Sequence, residues 1–166
     1  MEATIKDSGD RTKFETGAVR DMHEGKGRFD LVPLEVVSEV YRHFDEEEPF
    51  VSATLGHLAN FMKYRSTDYL YLALDECGVF PSWETMFLEV AKHFEDGAKK
   101  YGPDNWRRGI PVECYIDSAI RHYMKWLRGD SDEPHDRAFC WNIMCCIWEV
   151  DHSPRAEKES DDVNEF

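Results

Sequence analysis

The sequence predicts an all-α protein folded as a helical bundle, preceded by a loop-rich N-terminal segment. Apolar residues recur at helical spacing through most of the chain after residue 33. Residues that begin or end helices stand at the expected boundaries. One run, from Ala138 to Trp148, is apolar almost all round, which predicts a central helix. With 166 residues, of which 42 % are hydrophobic, the chain can bury a core without disulfides.

Each predicted element follows from this pattern. Pro33 begins the first predicted helix at its first turn, and Pro134 takes the first position of the last one. Ser82 is a good N-cap, and Gly129 closes a helix. Residues 1–30, which are polar and contain three glycines, are predicted to be extended or looped. Glycine and proline predict another loop over residues 101–113. The predicted helices span about 34–47, 52–75 with a break near 66–68, 83–99, 114–128 and 134–150.

The domain organisation predicted from this pattern is simple. Residues 1–151 form one helical domain, with an insertion at about 48–82, and residues 152–166 form an acidic, disordered tail.

The charge of the chain limits its partners. Asp and Glu outnumber Lys and Arg by 34 to 20, giving a net charge of −14. A phosphate backbone would be repelled, so no duplex nucleic acid is expected as a partner. A small phosphorylated ligand remains compatible, because local basic groups or a divalent metal can offset the carboxylates at one site.

Five cysteines, an odd number without any C-x-x-C pair, indicate reduced core residues in a cytoplasmic protein. No signal peptide is evident at Met1, and no apolar run is long enough to span a bilayer, so no membrane partner is expected.

A short motif occurs twice, fifty residues apart. Residues 39–45, which we call the first copy, read EVYRHFD, and residues 89–95, the second copy, read EVAKHFE. Two amphipathic helices with similar needs explain the match as well as a duplicated half-site does. In the second copy, Glu89, His93 and the following Asp96 share one helix flank, which suits either metal binding or a solvated polar edge.

The only concentrated basic stretch of the chain runs from Lys99 to Gly109. Lys99 and Lys100 complement a helix dipole. That role does not explain Asn105, Trp106 and the two arginines that follow them in a loop. An aromatic ring can stack on a nucleobase, and guanidinium groups can bind phosphate.

Further candidate residues follow at residues 117–142. Asp117 and His122 border an apolar arc with Arg121 nearer solvent, and His135 follows two acids, Asp132 and Glu133, which are also good helix caps. The pair His135-Asp136 is typical of metal-dependent phosphohydrolases, although such pairs are common at helix starts. Asn142, an amide in an apolar helix, either knits the core or orients His135, seven residues earlier on the same face.

Together these motifs resemble the dATP/dGTP diphosphohydrolase N-terminal domain family of phages and prophages. The resemblance runs from about Thr16 to Trp148, with one departure: about fifty residues separate its two halves, so either the first or the second copy can complete the site. Its motifs are residues 16–21, 25–33, 97–102, Asn105-Trp106, Arg121-His122, 132–135 and Trp141-Asn142.

The resemblance implies a MazG-like helical scaffold that hydrolyses purine deoxynucleoside triphosphates to the monophosphate and pyrophosphate with Mg²⁺, or Mn²⁺ in its place. It further implies a homo-oligomer, located in the host cytoplasm if the chain is phage-encoded. The alternative function is a nucleotide-binding protein that sequesters or senses its ligand without turnover.

Residue roles follow from this implied reaction. We expect His122, His135 and Asp132 to be catalytic. We expect metal binding by Glu89, His93, Asp117 and Glu133. We expect substrate contacts from Lys26, Arg28, Lys100, Tyr101, Asn105, Trp106, Arg121 and Asn142.

Overall fold

A computed structural model describes residues 9–22, 24–45 and 47–153. Within these residues it contains six α-helices and one antiparallel pair of short strands, which confirms the all-α, bundle-like fold. Short 3₁₀ turns lie at Phe29–Leu31 and Asn105–Arg107. The elements are β1 (Arg11–Lys13), β2 (Val19–Asp21), α1 (Leu34–Phe44), α2 (Pro49–Tyr64), α3 (Asp68–Glu76), α4 (Trp83–Tyr101), α5 (Val112–Arg128) and α6 (His135–His152).

Local sequence signals set the helix ends. The Ser82 hydroxyl accepts a hydrogen bond from the Thr85 backbone N–H at 3.2 Å and so caps α4. Arg65, with φ of 57°, ends α2 and produces the break predicted near residue 66. Gly129 ends α5 with φ of 83°, a conformation that glycine adopts without strain.

Helix α6 is the central helix, as its apolar sequence predicts. It packs against α3, α4 and α5. Phe139, Cys140, Ile143 and Cys146 are fully buried along it. All five cysteines are free thiols.

Helices α1, α2 and α3 form a second group, in which α2 contacts both of the others. Leu55, Leu58 and Phe61 of α2 are fully buried and join this group to the core. The predicted insertion at about 48–82 supplies α2 and α3, and its status as an insertion stays a prediction.

The N-terminal segment forms a hairpin where extended or loop structure was predicted. Arg11 pairs with Asp21 and Lys13 with Val19 across β1 and β2. The hairpin reaches the loop between α4 and α5, because the Thr16 hydroxyl donates to the Gly109 carbonyl at 3.0 Å.

Two sequence expectations need correction. Helical spacing places Trp83, Met86, Phe87, Val90 and Phe94 on one stripe of α4, which is therefore predicted to face the core. Trp83 and Phe87 are instead 45 % and 53 % exposed, and only Met86 and Val90 of that stripe are buried. Helix α6 also extends through His152, one residue into the predicted tail, while residues 154–166 of that tail lie outside the described residues. No helix among the described residues combines the length and the apolar character that crossing a membrane requires.

Candidate active site between the hairpin and helices α4, α5 and α6

A pocket of about 740 Å³ lies between β2, the second half of α4, the loop that follows it, α5 and the start of α6. Of the predicted site residues, Arg28, Glu89, Lys100, Asp117 and His135 are not on its wall. The other ten line it: Lys26, His93, Tyr101, Asn105, Trp106, Arg121, His122, Asp132, Glu133 and Asn142.

His122, Asp132 and Glu133 line one corner of the pocket, and His135 contacts the first two without forming part of the wall; we call these four residues the histidine corner. His122 Nδ1 lies 2.9 Å from His135 Nδ1, and His135 Nε2 lies 2.7 Å from Asp132 Oδ1. A carboxylate only accepts, so His135 donates from Nε2 to Asp132. The tautomers that make both contacts hydrogen bonds place the proton of the ring–ring contact on His122 Nδ1, and His135 Nδ1 accepts it. This assignment leaves His122 Nε2 with a lone pair.

Burial lowers the pKa of His122 well below its usual value, and the nearby rings of His135 and His93 and the Arg121 guanidinium lower it further. His122 is therefore neutral at pH 7, and its lone pair is available.

The histidine corner also contains the groups that can hold a metal ion. Ligand atoms of His122, Glu133 and His135 lie within 4.8 Å of one another, as do those of Asp130, Asp132 and His135. Carboxylate oxygens of this set suit Mg²⁺ and Mn²⁺, whereas imidazole nitrogens favour other transition metals.

Three of the four predicted metal ligands lie outside these clusters, and Glu133 belongs to one of them. Among the described residues, no cluster of three or more potential ligands includes Glu89, His93 or Asp117. Asp117, 1 % exposed, accepts the Phe29 backbone N–H at 2.7 Å and pairs with Arg121. These contacts direct it to the N-terminal segment, because a buried carboxylate must be compensated where it lies.

Among the described residues, the pocket wall has as many cationic as anionic side chains, although the chain as a whole is acidic. Four Lys or Arg side chains and four Asp or Glu side chains line it, so its wall is balanced while the whole chain carries −14. Arg121 donates to the Gly27 carbonyl at 2.9 Å, and Lys125 lies 3.5 Å from Asp132. An anion entering the pocket meets no net repulsion from its wall.

Two predicted phosphate ligands are engaged elsewhere. Arg28 is exposed and pairs with Asp30. Lys100, 8 % exposed, pairs with Asp21 at 2.8 Å, and the Tyr101 hydroxyl donates to the same carboxylate at 2.8 Å. Burial and the hydrogen bond to Asp21 raise the pKa of Tyr101. Lys100 and Tyr101 thus fasten β2 to α4.

Asn105 also has a structural partner. Its side-chain oxygen accepts from the Val19 backbone N–H at 2.9 Å, and its amide nitrogen donates to the Val19 carbonyl at 2.8 Å. The amide is therefore occupied in binding β2. Trp106 forms a half-buried aromatic part of the wall, packed edge-on against Phe94 at 5.4 Å between ring centres, with the Arg107 guanidinium 4.7 Å from its ring.

Another part of the pocket wall is formed by Arg20, His93, Trp141 and Asn142, which we call the pocket floor. Arg20 donates to Asn142 Oδ1 at 2.9 Å, and its guanidinium lies over the rings of Tyr115 and Trp141. Asn142, 2 % exposed, donates to the Ala138 carbonyl. The contacts of Asn142 reach Arg20 and Ala138, which favours the core-knitting role over the orientation of His135.

Polar atoms of the pocket floor are buried without partners. Arg20 Nη1, Trp141 Nε1 and His93 Nδ1 have no hydrogen-bond partner in the described part of the chain. An unsatisfied buried donor costs about 1–3 kcal/mol. Burial, and then the cations Arg137, Arg20 and Lys100, lower the pKa of His93 to about 3, so its ring is neutral.

The two copies of the repeated motif differ in position. His93 of the second copy lines the pocket, whereas no residue of the first copy does so, and His43 and Glu39 are exposed on α1. Glu89 of the second copy pairs with Lys92 at 2.7 Å and lies 3.6 Å from Arg137. The second copy therefore contributes His93 to the site.

Sequence reasoning did not place Arg20, Asp21, Lys125 and Trp141 in the site. For Arg20, Asp21 and Trp141 a signal existed, because they belong to the motifs that carry the family resemblance. Lys125 had no such signal.

Comparison with known proteins supports the resemblance. Residues 80–160 match the family model described as dATP/dGTP diphosphohydrolase, N-terminal, and the resemblance is confirmed over that segment. The segment contains α4, α5 and α6, which form most of the pocket, but not the hairpin. No curated protein and no solved structure matches the chain.

Proposed function

We propose that the protein hydrolyses purine deoxynucleoside triphosphates to the deoxynucleoside monophosphate and pyrophosphate in this pocket. The histidine corner carries the proposal, because it places a hydrogen-bonded His–His–Asp chain in a pocket whose wall also offers cations. The family match over residues 80–160 supports the reaction class.

In the proposed reaction, His122 acts as the base. Its Nε2 lone pair accepts a proton from a water, and that water attacks the α-phosphorus. The bond from the α-phosphorus to the oxygen that bridges to the β-phosphorus breaks, and pyrophosphate leaves with that oxygen. His135 and Asp132 act as positioning residues, since their hydrogen bonds fix the orientation and tautomer of His122.

A divalent cation, Mg²⁺ or Mn²⁺, fits the carboxylates of the histidine corner. Glu133, or alternatively Asp132 together with Asp130, would hold it, because Mg²⁺ is commonly bound by one or two carboxylates together with the substrate phosphates. When bound, it supplies Lewis-acid polarisation of the phosphoryl oxygens.

Binding of the substrate relies on two kinds of side chain. Arg121, Lys125 and Lys26 stand on the pocket wall near the phosphates in this proposal and offset their charge. Trp106 offers an aromatic face for the base.

The test is turnover of dGTP and dATP by the purified protein with Mg²⁺ in water enriched in ¹⁸O. The proposal expects one ¹⁸O atom in the monophosphate and none in the pyrophosphate, since attack occurs at the α-phosphorus. Absence of turnover for every nucleoside triphosphate tested, with the helical circular-dichroism signal intact, overturns it.

A second candidate is a protein that binds the nucleotide without turnover. The lowered pKa of His122 favours it, because such an imidazole is a weak base. Metal-independent binding with the nucleotide recovered unchanged supports this candidate. Loss of all binding on chelation counts against it.

The homo-oligomer implied by the resemblance stays a prediction. Large apolar side chains are exposed on α1 and α4, among them Val40, Phe44, Phe87 and Leu88. Light scattering of the purified protein measures the state directly, and a monomer at micromolar concentration contradicts the prediction.

A further inference from the structure

The two imidazole rings of the histidine corner face each other through nitrogen atoms of the same kind. His122 Nδ1 and His135 Nδ1 are 2.9 Å apart, and the ring centres are 5.2 Å apart. A carboxylate oxygen of Glu133 completes a set of three ligand atoms that lie within 4.8 Å of one another. Two imidazoles with one carboxylate form a common ligand set for Zn²⁺, with the fourth position left to water or a substrate.

The spacing of these atoms fits a small ion. Zn²⁺ binds histidine nitrogen at about 2.0–2.1 Å, so two nitrogens on one tetrahedral ion lie about 3.4 Å apart. The two Nδ1 atoms are 2.9 Å apart, and small rotations of the rings provide the remaining separation of about 0.5 Å. The metal–nitrogen bonds then replace the hydrogen bond between the rings.

The outer partner that a metal-bound histidine needs is already in place. His135 Nε2 donates to Asp132 Oδ1 at 2.7 Å, which leaves His135 Nδ1 directed at His122. Metal-binding histidines almost always donate their second ring N–H to a carboxylate, a carbonyl or water, and this contact fixes the orientation of the ring. Asp132 therefore acts on such a site through His135.

The neighbouring cluster of Asp130, Asp132 and His135 is less suited to zinc. It contains one imidazole in place of two. Asp130 accepts a hydrogen bond from Arg128 at 2.8 Å, and Lys125 lies 3.5 Å from Asp132. A metal ion would compete there with cations that already compensate the carboxylates, which favours the cluster with two histidines.

We propose that His122, His135 and Glu133 form a binding site for a transition-metal ion of the zinc class, and that this ion inhibits hydrolysis. Binding at Nδ1 requires the His122 ring proton to move to Nε2, with no net release of a proton. Nε2 is the atom that accepts the proton of water in the proposed reaction, so a protonated Nε2 cannot act as the base. The inhibition rests on the proposed function, whereas the metal binding does not.

The first experiment measures metal binding without nucleotide. Calorimetric titration of the metal-free protein with Zn²⁺ should show a site with a Kd of about 1 μM or lower. Co²⁺ replaces Zn²⁺ as a visible probe, because its absorption reports four-coordinate geometry. Mn²⁺ should bind more weakly than Co²⁺, and excess Mg²⁺ should not displace either ion, because Mg²⁺ prefers oxygen ligands.

The second experiment removes the ligands one at a time. His122→Asn and Glu133→Gln should each weaken Co²⁺ about 100-fold or more, whereas Asp132→Asn, a change in the outer partner, should weaken it about tenfold. Circular dichroism checks that each variant is folded. His152→Asn, the same change at an exposed histidine of α6, is the matched control and should bind Co²⁺ like the wild type.

The third experiment joins binding to turnover. Hydrolysis of dGTP with Mg²⁺ is followed while Zn²⁺ is added, and the rate at full occupancy should fall about 10²-fold or more, because the general base is lost. The loss should follow the fraction of occupied sites and should be reversed by a chelator selective for zinc. Turnover that is undiminished or increased at full occupancy overturns the inhibition.

The binding results can overturn the metal site itself. They do so if His122→Asn binds Co²⁺ as tightly as the wild type, if Asp130→Asn alone abolishes binding, or if binding is lost in His152→Asn. The proposed function fails separately: zinc bound at the histidine corner of a protein that hydrolyses no triphosphate with Mg²⁺ leaves the metal site standing and removes the hydrolytic function.

Discussion

The histidine corner and the pocket floor are two sides of one pocket, but the chain builds them differently. The residues of the histidine corner all lie between His122 and His135, at the join of two consecutive helices. The pocket floor joins Arg20 of the hairpin to Asn142 of α6, which are 122 positions apart. The corner is thus accessible to reasoning from local spacing, whereas the floor exists only through long-range packing.

The largest expected effect tests whether the corner is catalytic and the floor is not. His122→Gln removes the general base and should lower kcat about 10²- to 10⁴-fold. The affinity for the non-hydrolysable α,β-methylene analogue of dGTP should change little. Single-turnover hydrolysis and titration measure the two quantities. His43→Gln, on the exposed first copy, is the control and should match the wild type; a His122 variant with wild-type kcat refutes the assignment.

A second prediction separates the two carboxylates beside His135. Asp132→Asn weakens the acceptor that fixes the His135 tautomer and should lower kcat about 10- to 100-fold. Asp136→Asn changes the adjacent carboxylate, whose oxygen accepts the Arg137 backbone N–H. Steady-state rates should show a much smaller loss for Asp136→Asn. Equal losses would favour the His135-Asp136 dyad that the sequence also offered.

A third prediction concerns the attachment of the hairpin that carries Arg20. Asn105→Ala leaves the Val19 N–H and carbonyl without their partners and should lower the free energy of unfolding by about 1–3 kcal/mol. Urea denaturation measures it. Asn60→Ala, a half-buried amide on α2, is the control. A loss equal to that of Asn60→Ala would contradict this attachment.

The smallest effect is a pH dependence located at His93. Its pKa is about 3 in the folded protein and about 6.5 when unfolded, so on acidification the unfolded chain binds the proton first. Well above pH 6.5 this group does not alter the free energy of unfolding. As the pH falls from 6.5 towards 3, the free energy of unfolding decreases, because only the unfolded chain binds the proton. Between pH 7 and pH 6 the loss from this one group is about 0.7 kcal/mol.

Denaturation of wild type and His93→Asn at both pH values isolates that contribution. The difference in the free energy of unfolding between pH 7 and pH 6 should be smaller in His93→Asn than in the wild type, by about 0.7 kcal/mol. His43→Asn, which makes the same change at an exposed histidine of α1, is the matched control. An unchanged difference in His93→Asn would show that His93 is not buried as a neutral ring.

Much of the fold follows from local patterns. Ser82, Gly129 and the apolar run of α6 mark their helices correctly, since caps and periodicity act within a few residues. The exposed Trp83 and Phe87 could not be foreseen, because an apolar stripe does not tell which neighbour will cover it.

The candidate site was only partly predictable for the same reason. The sequence made Asn105, Lys100 and Tyr101 candidate substrate contacts, because local spacing could not show which protein groups they meet. All three contact β2, about 80 positions earlier in the chain. Glu89 and Asp117 likewise had the chemistry of metal ligands, and their neighbours Arg137 and Phe29 take them away from the pocket wall.

By itself, the sequence determined the helical segments and the central place of α6, because these depend on periodicity and caps. It named His122, Asp132 and His135 as candidates but not their mutual contacts. Tertiary structure decided which copy of the repeated motif reaches the pocket and brought Arg20 onto Asn142. The physical reason is that burial and pairing are set by what packs against a side chain. That partner can lie anywhere along the chain, beyond the reach of local spacing.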